Sequence, residues 1–306
     1  MQNIDIVEVA PRDGLQNEGR TFATDDKVRL CELLLRAGVR RMEVSSFVNP
    51  RLVPQMADAE ALFARIPQRL DAELIGLVLN RRGFERALLA GVRSINVVVL
   101  ASESFSRRNQ GSTIADSLAV SRELSDEARR AGIRYSVTIG AAFGCPFEGL
   151  VPQGRVLEIA GRLAADGLDE LTLADTIGVA DPGAVEAFAV ALEREAPGVR
   201  LRGHFHNTRN IGLANAYAAV RSGFSGLDSS LGGIGGCPFA PAATGNIPTE
   251  DLWYMLERMG IATGLDGEAL IAASSWLADR LGKPVPAMLG RAGLFPPKPG
   301  VPPGLV

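Results

Sequence analysis

The chain carries two histidines, His204 and His206, one residue apart in Leu201-Arg202-Gly203-His204-Phe205-His206-Asn207. Side chains alternate faces along a strand, so His-x-His on a strand presents both imidazoles on one side. Two neutral imidazoles on one face suit a divalent metal. The competing reading is coincidence, with one ring in the core and the other in a turn. The remaining ligands decide between them.

Those ligands are sought where strand-like runs end. Ala10-Pro11-Arg12-Asp13-Gly14-Leu15-Gln16-Asn17-Glu18 closes the first run and puts a cation, a carboxylate and amides together. Asp13 alone reads as an Asx turn before Gly14, and Asn246 alone as part of an ordinary turn in Gly245-Asn246-Ile247-Pro248. Taken together, Asp13, His204, His206 and Asn246 make an oxygen and nitrogen set without thiolate. That set favours Mg²⁺ or Mn²⁺ with open positions over a closed structural zinc site.

Beside these ligands Arg12 is suited to a carbonyl that becomes an enolate, where charge develops in the transition state. Glu43 lies within an apolar run, Arg41-Met42-Glu43-Val44, and a buried carboxylate there needs a partner. An ion pair with Arg12 would serve it and could also orient Arg12. Asp175-Thr176 closes another run. Gly232-Gly233-Ile234-Gly235-Gly236 has four glycines in five residues and reads as a lid or a backbone cradle. Cys237 follows it directly, so a thiol could be carried onto and off a substrate. Gly-Cys-Pro-Phe also occurs at 144–147, but outside a glycine-rich loop, so Cys145 is read as a packing or turn residue. Cys31 falls in the apolar stripe of a helix and is read as core.

The elements that must hold these residues alternate along the chain. Strand candidates fall at 4–10, 40–47, 72–79, 94–100, 134–143, 168–175, 200–207 and 226–233. Helical periodicity fills the intervals, as at 25–37, 113–131 and 211–222. Several helical segments end on glycine (Gly38, Gly91, Gly132), where a left-handed closing residue is expected. Eight strand–helix units predict a closed parallel (β/α)8 barrel, an α/β fold. An open doubly wound sheet is the rival, but no G-x-G-x-x-G follows the first strand. Two further helices are predicted at 251–259 and 268–281, then a proline-rich extended tail over 295–303. The chain is read as a single catalytic domain, 1–306, with the barrel at about 4–262 and the C-terminal helices and tail at about 263–306.

The 32 basic and 35 acidic residues nearly balance, for a net charge of −3. Neither a nucleic acid nor an anionic membrane is favoured as partner. The first residues lack the features of a signal peptide, and no run of about 18 apolar residues could span a bilayer. Three scattered cysteines make no disulfide framework, so a reducing cytoplasm is expected. Self-association into a homo-oligomer is left open.

Taken in order, these motifs resemble the 3-hydroxy-3-methylglutaryl-CoA lyase family. The likeness rests on Arg12 to Glu18, Ser45-Ser46-Phe47-Val48-Asn49-Pro50, Val53-Pro54-Gln55-Met56-Ala57-Asp58 and Asp175-Thr176-Ile177-Gly178. It continues through His204-x-His206, Gly235-Gly236-Cys237-Pro238-Phe239-Ala240 and Gly245-Asn246-x-x-Thr249-Glu250-Asp251. It runs from the first strand to about residue 262. The arginine–aspartate of the first strand and the His-x-His are shared with the wider group of metal-dependent acyl-CoA lyase and aldolase barrels. The cysteine loop is similar to the lyase branch rather than to the condensing synthases.

The resemblance implies an acyl-CoA substrate and retro-Claisen cleavage of 3-hydroxy-3-methylglutaryl-CoA to acetyl-CoA and acetoacetate. The metal held by Asp13, His204, His206 and Asn246 would bind the C3 hydroxyl and a carboxylate oxygen. Arg12 would stabilise the thioester enolate, and Cys237 would act as general acid or base at C2. Glu43 and Asp175 would position metal, water and Arg12, with Asp175 a relay for the hydroxyl proton. Leucine or branched-terpenoid breakdown is the implied setting.

Departures from the family pattern fall at Asn207 and Arg209, where Asp and Tyr are usual, at Gly19, where Lys is common, and at Gly140-Ala141-Ala142, where Ser-Cys is frequent. They bear on the acyl portion and the CoA phosphates. A lyase for citramalyl-CoA or a branched 3-hydroxyglutaryl-CoA is therefore an alternative within the class. A condensing synthase and a non-catalytic barrel are the alternatives outside it.

Overall fold

A computed structural model describes residues 3–67, 71–236 and 245–296. Eight strands form the barrel: β1 (Asp5–Glu8), β2 (Arg41–Ser46), β3 (Glu73–Val78), β4 (Ser94–Leu100), β5 (Arg134–Gly140), β6 (Glu170–Asp175), β7 (Leu201–Phe205) and β8 (Gly226–Ser229). All neighbours are parallel, and β1 pairs with β8 to close the barrel in the order β1-β8-β7-β6-β5-β4-β3-β2. The fold is the α/β barrel expected from the sequence. Each of the eight expected strands is present, with ends drawn in by up to four residues.

Helices α1 (Thr24–Arg36), α2 (Ala59–Arg65), α3 (Arg81–Leu89), α4 (Glu103–Gln110), α5 (Ile114–Ala131), α6 (Gln153–Asp166), α7 (Pro182–Glu195) and α8 (Gly212–Arg221) lie between the strands. After the barrel come α9 (Thr249–Arg258), α10 (Gly267–Leu281) and the short α11 (Leu289–Ala292). α5 shows why such segments hold. Thr113 and Asp116 make a reciprocal capping box at its start, and Gly132 closes it at φ +66°.

The apolar core fills the space between strands and helices, as in Leu30 and Leu34 of α1 and Val97 and Val99 of β4. Alternation in β7 sends Phe205 outward, where it meets Phe143, which in turn stacks edge-on against Phe188 of α7. Arg202 and His204 therefore point inward. The floor of the barrel is ionic rather than apolar. Arg41 bonds both oxygens of Glu170 at 3.0 and 2.8 Å, and Arg202 approaches Glu170 at 3.1 Å and Asp228 at 3.2 Å. Removing either partner from such a buried pair would leave an uncompensated charge, a cost of roughly 3–5 kcal/mol.

Cys31 is fully buried in α1, as read from its apolar stripe. Cys145 is a free, buried thiol that accepts hydrogen bonds from the Ser102 hydroxyl (2.9 Å) and the Phe147 N–H (3.3 Å). Among the described residues no helix is long and apolar enough to cross a membrane. Cys237 and most of the proline-rich tail lie outside the described residues.

Candidate active site and metal centre

Three chain segments meet at the C-terminal mouth of the barrel. After β1 the backbone makes a π-helical turn, Ala10–Gly14, in which the Gly14 N–H reaches the Val9 carbonyl. Such single wide turns recur at functional sites. This one presents Arg12 and Asp13 at the mouth. β7 supplies His204 from its inward face, and His206 follows just beyond its end. Residues 245–247 then run antiparallel beside that end, with hydrogen bonds Asn207 N–H to Gly245 O and Ile247 N–H to Phe205 O. This pairing sets Asn246 opposite His206.

Ligand atoms of Asp13, His204 and His206 all lie within 4.8 Å of one another. The imidazole centroids are 5.2 Å apart, on the shared face that His-x-His demands. Asn246 sits on the same carboxylate, its amide donating to Asp13 Oδ2 at 2.8 Å and to the Ile234 carbonyl at 3.0 Å. Gly235 makes this approach possible. It has φ +102°, and a Cβ there would fall 2.6 Å from the Asn246 amide nitrogen.

The donor set fits a divalent cation. Asp228 lies 3.0 Å from His204 Nδ1, which leaves Nε2 facing Asp13 Oδ2 at 4.0 Å. That gap is too long for a hydrogen bond, so the two facing donor atoms do not satisfy each other. His206 Nδ1 is buried with no hydrogen-bond partner. Burial, then the neighbouring His204, pushes His206 down to about 4, so it is a neutral imidazole at physiological pH. Burial also opposes charge on His204, but the Asp228 carboxylate outweighs it and the ring is raised. Asp13 is held below the usual carboxylate range, because Arg12 and the two histidines outweigh its burial.

Arg12 bridges two acids. Its Nε donates to Glu43 Oε1, and its Nη1 to Asp13 Oδ1 at 2.7 Å. The buried Glu43 therefore has the cationic partner its apolar surroundings require. The β2–β3 register shifts between Glu43 and Ser45, an irregularity of the kind that re-aims a side chain. Asp175 is placed differently from the rest. Its oxygens accept the Val179 and Ala180 N–H groups at 2.8 and 3.0 Å, which pins the loop after β6. Burial, only partly offset by these amides, raises its pKa.

A cavity opens over these groups. Its lining combines the polar Arg12, Asp13, Gln16, His204, His206 and Asp228 with the apolar Leu77, Leu79, Val98, Leu100 and Phe105, and includes Thr138 and Thr176. Neither Glu43 nor Asp175 is among its described lining residues. Asn207 and Arg209, two of the departures from the family pattern, do not line it either, whereas Gly140, another, does. The Asn207 side chain accepts the Gly212 N–H at 3.1 Å, and Arg209 donates to the carbonyls of Ile177 and Gly178.

The glycine-rich segment is firmly based. Leu231 N–H donates to Glu8 at 2.9 Å and Gly232 N–H to Glu250 at 3.0 Å. Asn17 holds the Gly236 carbonyl at 2.8 Å, one residue before Cys237.

Sequence reasoning passed over Asp228, the acid behind His204. Its signal was a lone carboxylate inside a strand run, Gly226-Leu227-Asp228-Ser229, next to the His-x-His strand. It also passed over Glu8, which is fully buried against the glycine segment.

Comparison with known proteins adds the lineage. The HMGL-like family model matches residues 3–277. The chain is 46% identical to (R)-citramalyl-CoA lyase of Chloroflexus aurantiacus, over 96% of each chain. It is 43% identical to the 3-hydroxy-3-isohexenylglutaryl-CoA/hydroxymethylglutaryl-CoA lyase of Pseudomonas aeruginosa, over 92% of this chain and 94% of that one. Among solved structures it is similar to an HMG-CoA lyase from Acinetobacter baumannii in complex with coenzyme A and 3-methylmalate. That similarity has a TM-score of 0.93 at 38% identity and covers 98% of both chains.

Proposed function

The chain belongs to the HMGL-like family and is a carbon–carbon lyase, and from that premise we propose that it cleaves 3-hydroxy-3-methylglutaryl-CoA to acetyl-CoA and acetoacetate. The observation that carries the reading is the convergence of Asp13, His204 and His206 within 4.8 Å, beside Arg12 at the cavity wall.

Asp13, His204, His206 and Asn246 would hold Mg²⁺ or Mn²⁺. The bound ion would supply Lewis-acid polarisation of the substrate hydroxyl and a carboxylate oxygen. The C3 hydroxyl proton leaves to a general base. Its electron pair forms the C3 carbonyl of acetoacetate as the C2–C3 bond breaks. Arg12 stabilises the negative charge that passes to the thioester oxygen. Cys237 delivers a proton to C2, completing acetyl-CoA, and recovers one in the next cycle. Glu43 orients Arg12, and Asp175 positions the loop that brings Thr176 to the cavity. The setting is a reducing cytoplasm and the breakdown of leucine or branched terpenoids.

A second reading is favoured by the 46% identity to a citramalyl-CoA lyase. Citramalyl-CoA has a carboxylate on C3 in place of the carboxymethyl group, and the same bond cleavage gives pyruvate. Parallel assays of kcat/KM on both thioesters separate the two, since the keto acid released identifies the substrate. A clear preference for 3-hydroxy-3-methylglutaryl-CoA supports the first reading, and a preference for citramalyl-CoA replaces it with the second.

A further inference from the structure

Resting on the reading of Arg12 as the group that meets the enolate, we propose that Asn96, together with Thr138, is a positioning residue for Arg12. Arg12 Nε binds one oxygen of Glu43, and the other oxygen, Oε2, accepts the Asn96 amide N–H at 2.9 Å. Asn96 and Glu43 are each 2% exposed, so neither has water as an alternative partner. The amide orientation is fixed by chemistry. An ionised Glu43 can only accept, so the NH₂ end of Asn96 must face it.

The same nitrogen lies 3.0 Å from Thr138 Oγ1, and Asn96 Oδ1 lies 3.1 Å from that hydroxyl and 3.4 Å from the Ser136 hydroxyl. Thr138 lines the cavity beside Val98, its register partner on β4. The contacts form one line: cavity, Thr138, Asn96, Glu43, Arg12. When Thr138 accepts from the amide, its own O–H can turn to an acceptor in the cavity. Occupancy at Thr138 and the set of Arg12 are thereby linked. β4 and β5 supply this line, although neither carries a proposed metal ligand.

A buried asparagine that served the fold alone would lower stability and leave kcat per folded enzyme intact. The relay requires more. Asn96→Leu should lower kcat about 10²-fold, the cost of misplacing a catalytic group by about 1 Å, with KM little changed. Asn96→Asp sets two carboxylates together and should do the same. The double variant Asn96→Asp/Glu43→Gln reverses the hydrogen bond while preserving it, and should recover most of the turnover lost in Asn96→Asp. Thr138→Val should show a smaller loss in kcat.

The crystal structure of Asn96→Asp, or of Asn96→Leu if it folds, should show Glu43 turned and Arg12 displaced from Asp13. Unchanged Glu43 and Arg12 positions overturn the relay whether or not the wild type cleaves the thioester. Unchanged kcat in the folded single variants overturns it as well. Failure of wild-type cleavage, by contrast, counts against the proposed function.

Discussion

The Asp228 carboxylate lies 3.0 Å from Nδ1 of His204, and the two residues are register partners across β7 and β8. A carboxylate behind a ligating histidine fixes its tautomer and raises its basicity. Asp228 is itself held by Arg202, which reaches Glu170 and so the ionic floor of the barrel. The proposed metal centre is thus anchored from beneath as well as from the mouth.

Asp228→Asn should therefore weaken Mn²⁺ binding about 10- to 100-fold while the fold survives. His204→Ala should weaken it further. Calorimetric titration of the purified variants reads both, and unaltered affinity in His204→Ala would remove that residue from the ligand set.

Arg12 lines the cavity wall and donates to both Glu43 and Asp13. Arg12→Gln should lower kcat about 10²- to 10³-fold, the range for loss of one preorganised charge-stabilising donor. Steady-state kinetics at saturating thioester tests this, and a change confined to KM would assign Arg12 to ground-state binding.

Cys237 follows the anchored glycine segment. Cys237→Ser should cut turnover roughly 10²- to 10⁴-fold, the range for lost proton-transfer catalysis, and leave metal affinity as in the wild type. Full turnover in the variant would take Cys237 out of the mechanism.

Glu8 and Glu250 hold the base of that segment, and burial pushes each up to about 7 from an ordinary value of 4.5. A raised pKa means that the folded state binds the proton more tightly than the unfolded one. The stability this confers is complete below about pH 4.5 and is lost as pH rises through about 7. It amounts to roughly 3 kcal/mol per group. Urea unfolding should show lower stability at pH 8 than at pH 5, and Glu8→Gln should flatten that dependence. An unchanged dependence in the variant would contradict the assignment.

Much of this was legible in the sequence because it is periodic or local. The β7 alternation put both histidines on one face, and the run after β1 put Arg12 beside Asp13 at a strand end. Glu43 announced its need for a partner by being a carboxylate in an apolar run. What escaped was contact between strands distant in sequence. Nothing in Asn96 or Thr138 alone points to Glu43, and nothing in Glu8 points to Leu231. Barrel closure creates those neighbours. Asp175 had the composition of a site residue, but its carboxylate is engaged by the Val179 and Ala180 amides four and five residues on. Type and position at a strand end do not reveal which way a side chain turns.

The most direct test of the metal-dependent lyase is to supply 3-hydroxy-3-methylglutaryl-CoA to the Mn²⁺-replete protein and follow both products. Acetyl-CoA and acetoacetate should appear in equal amounts, cease on chelation, return on adding Mn²⁺, and stay absent in the His204→Ala variant. Cleavage that persists in the chelated protein or in His204→Ala would contradict the account.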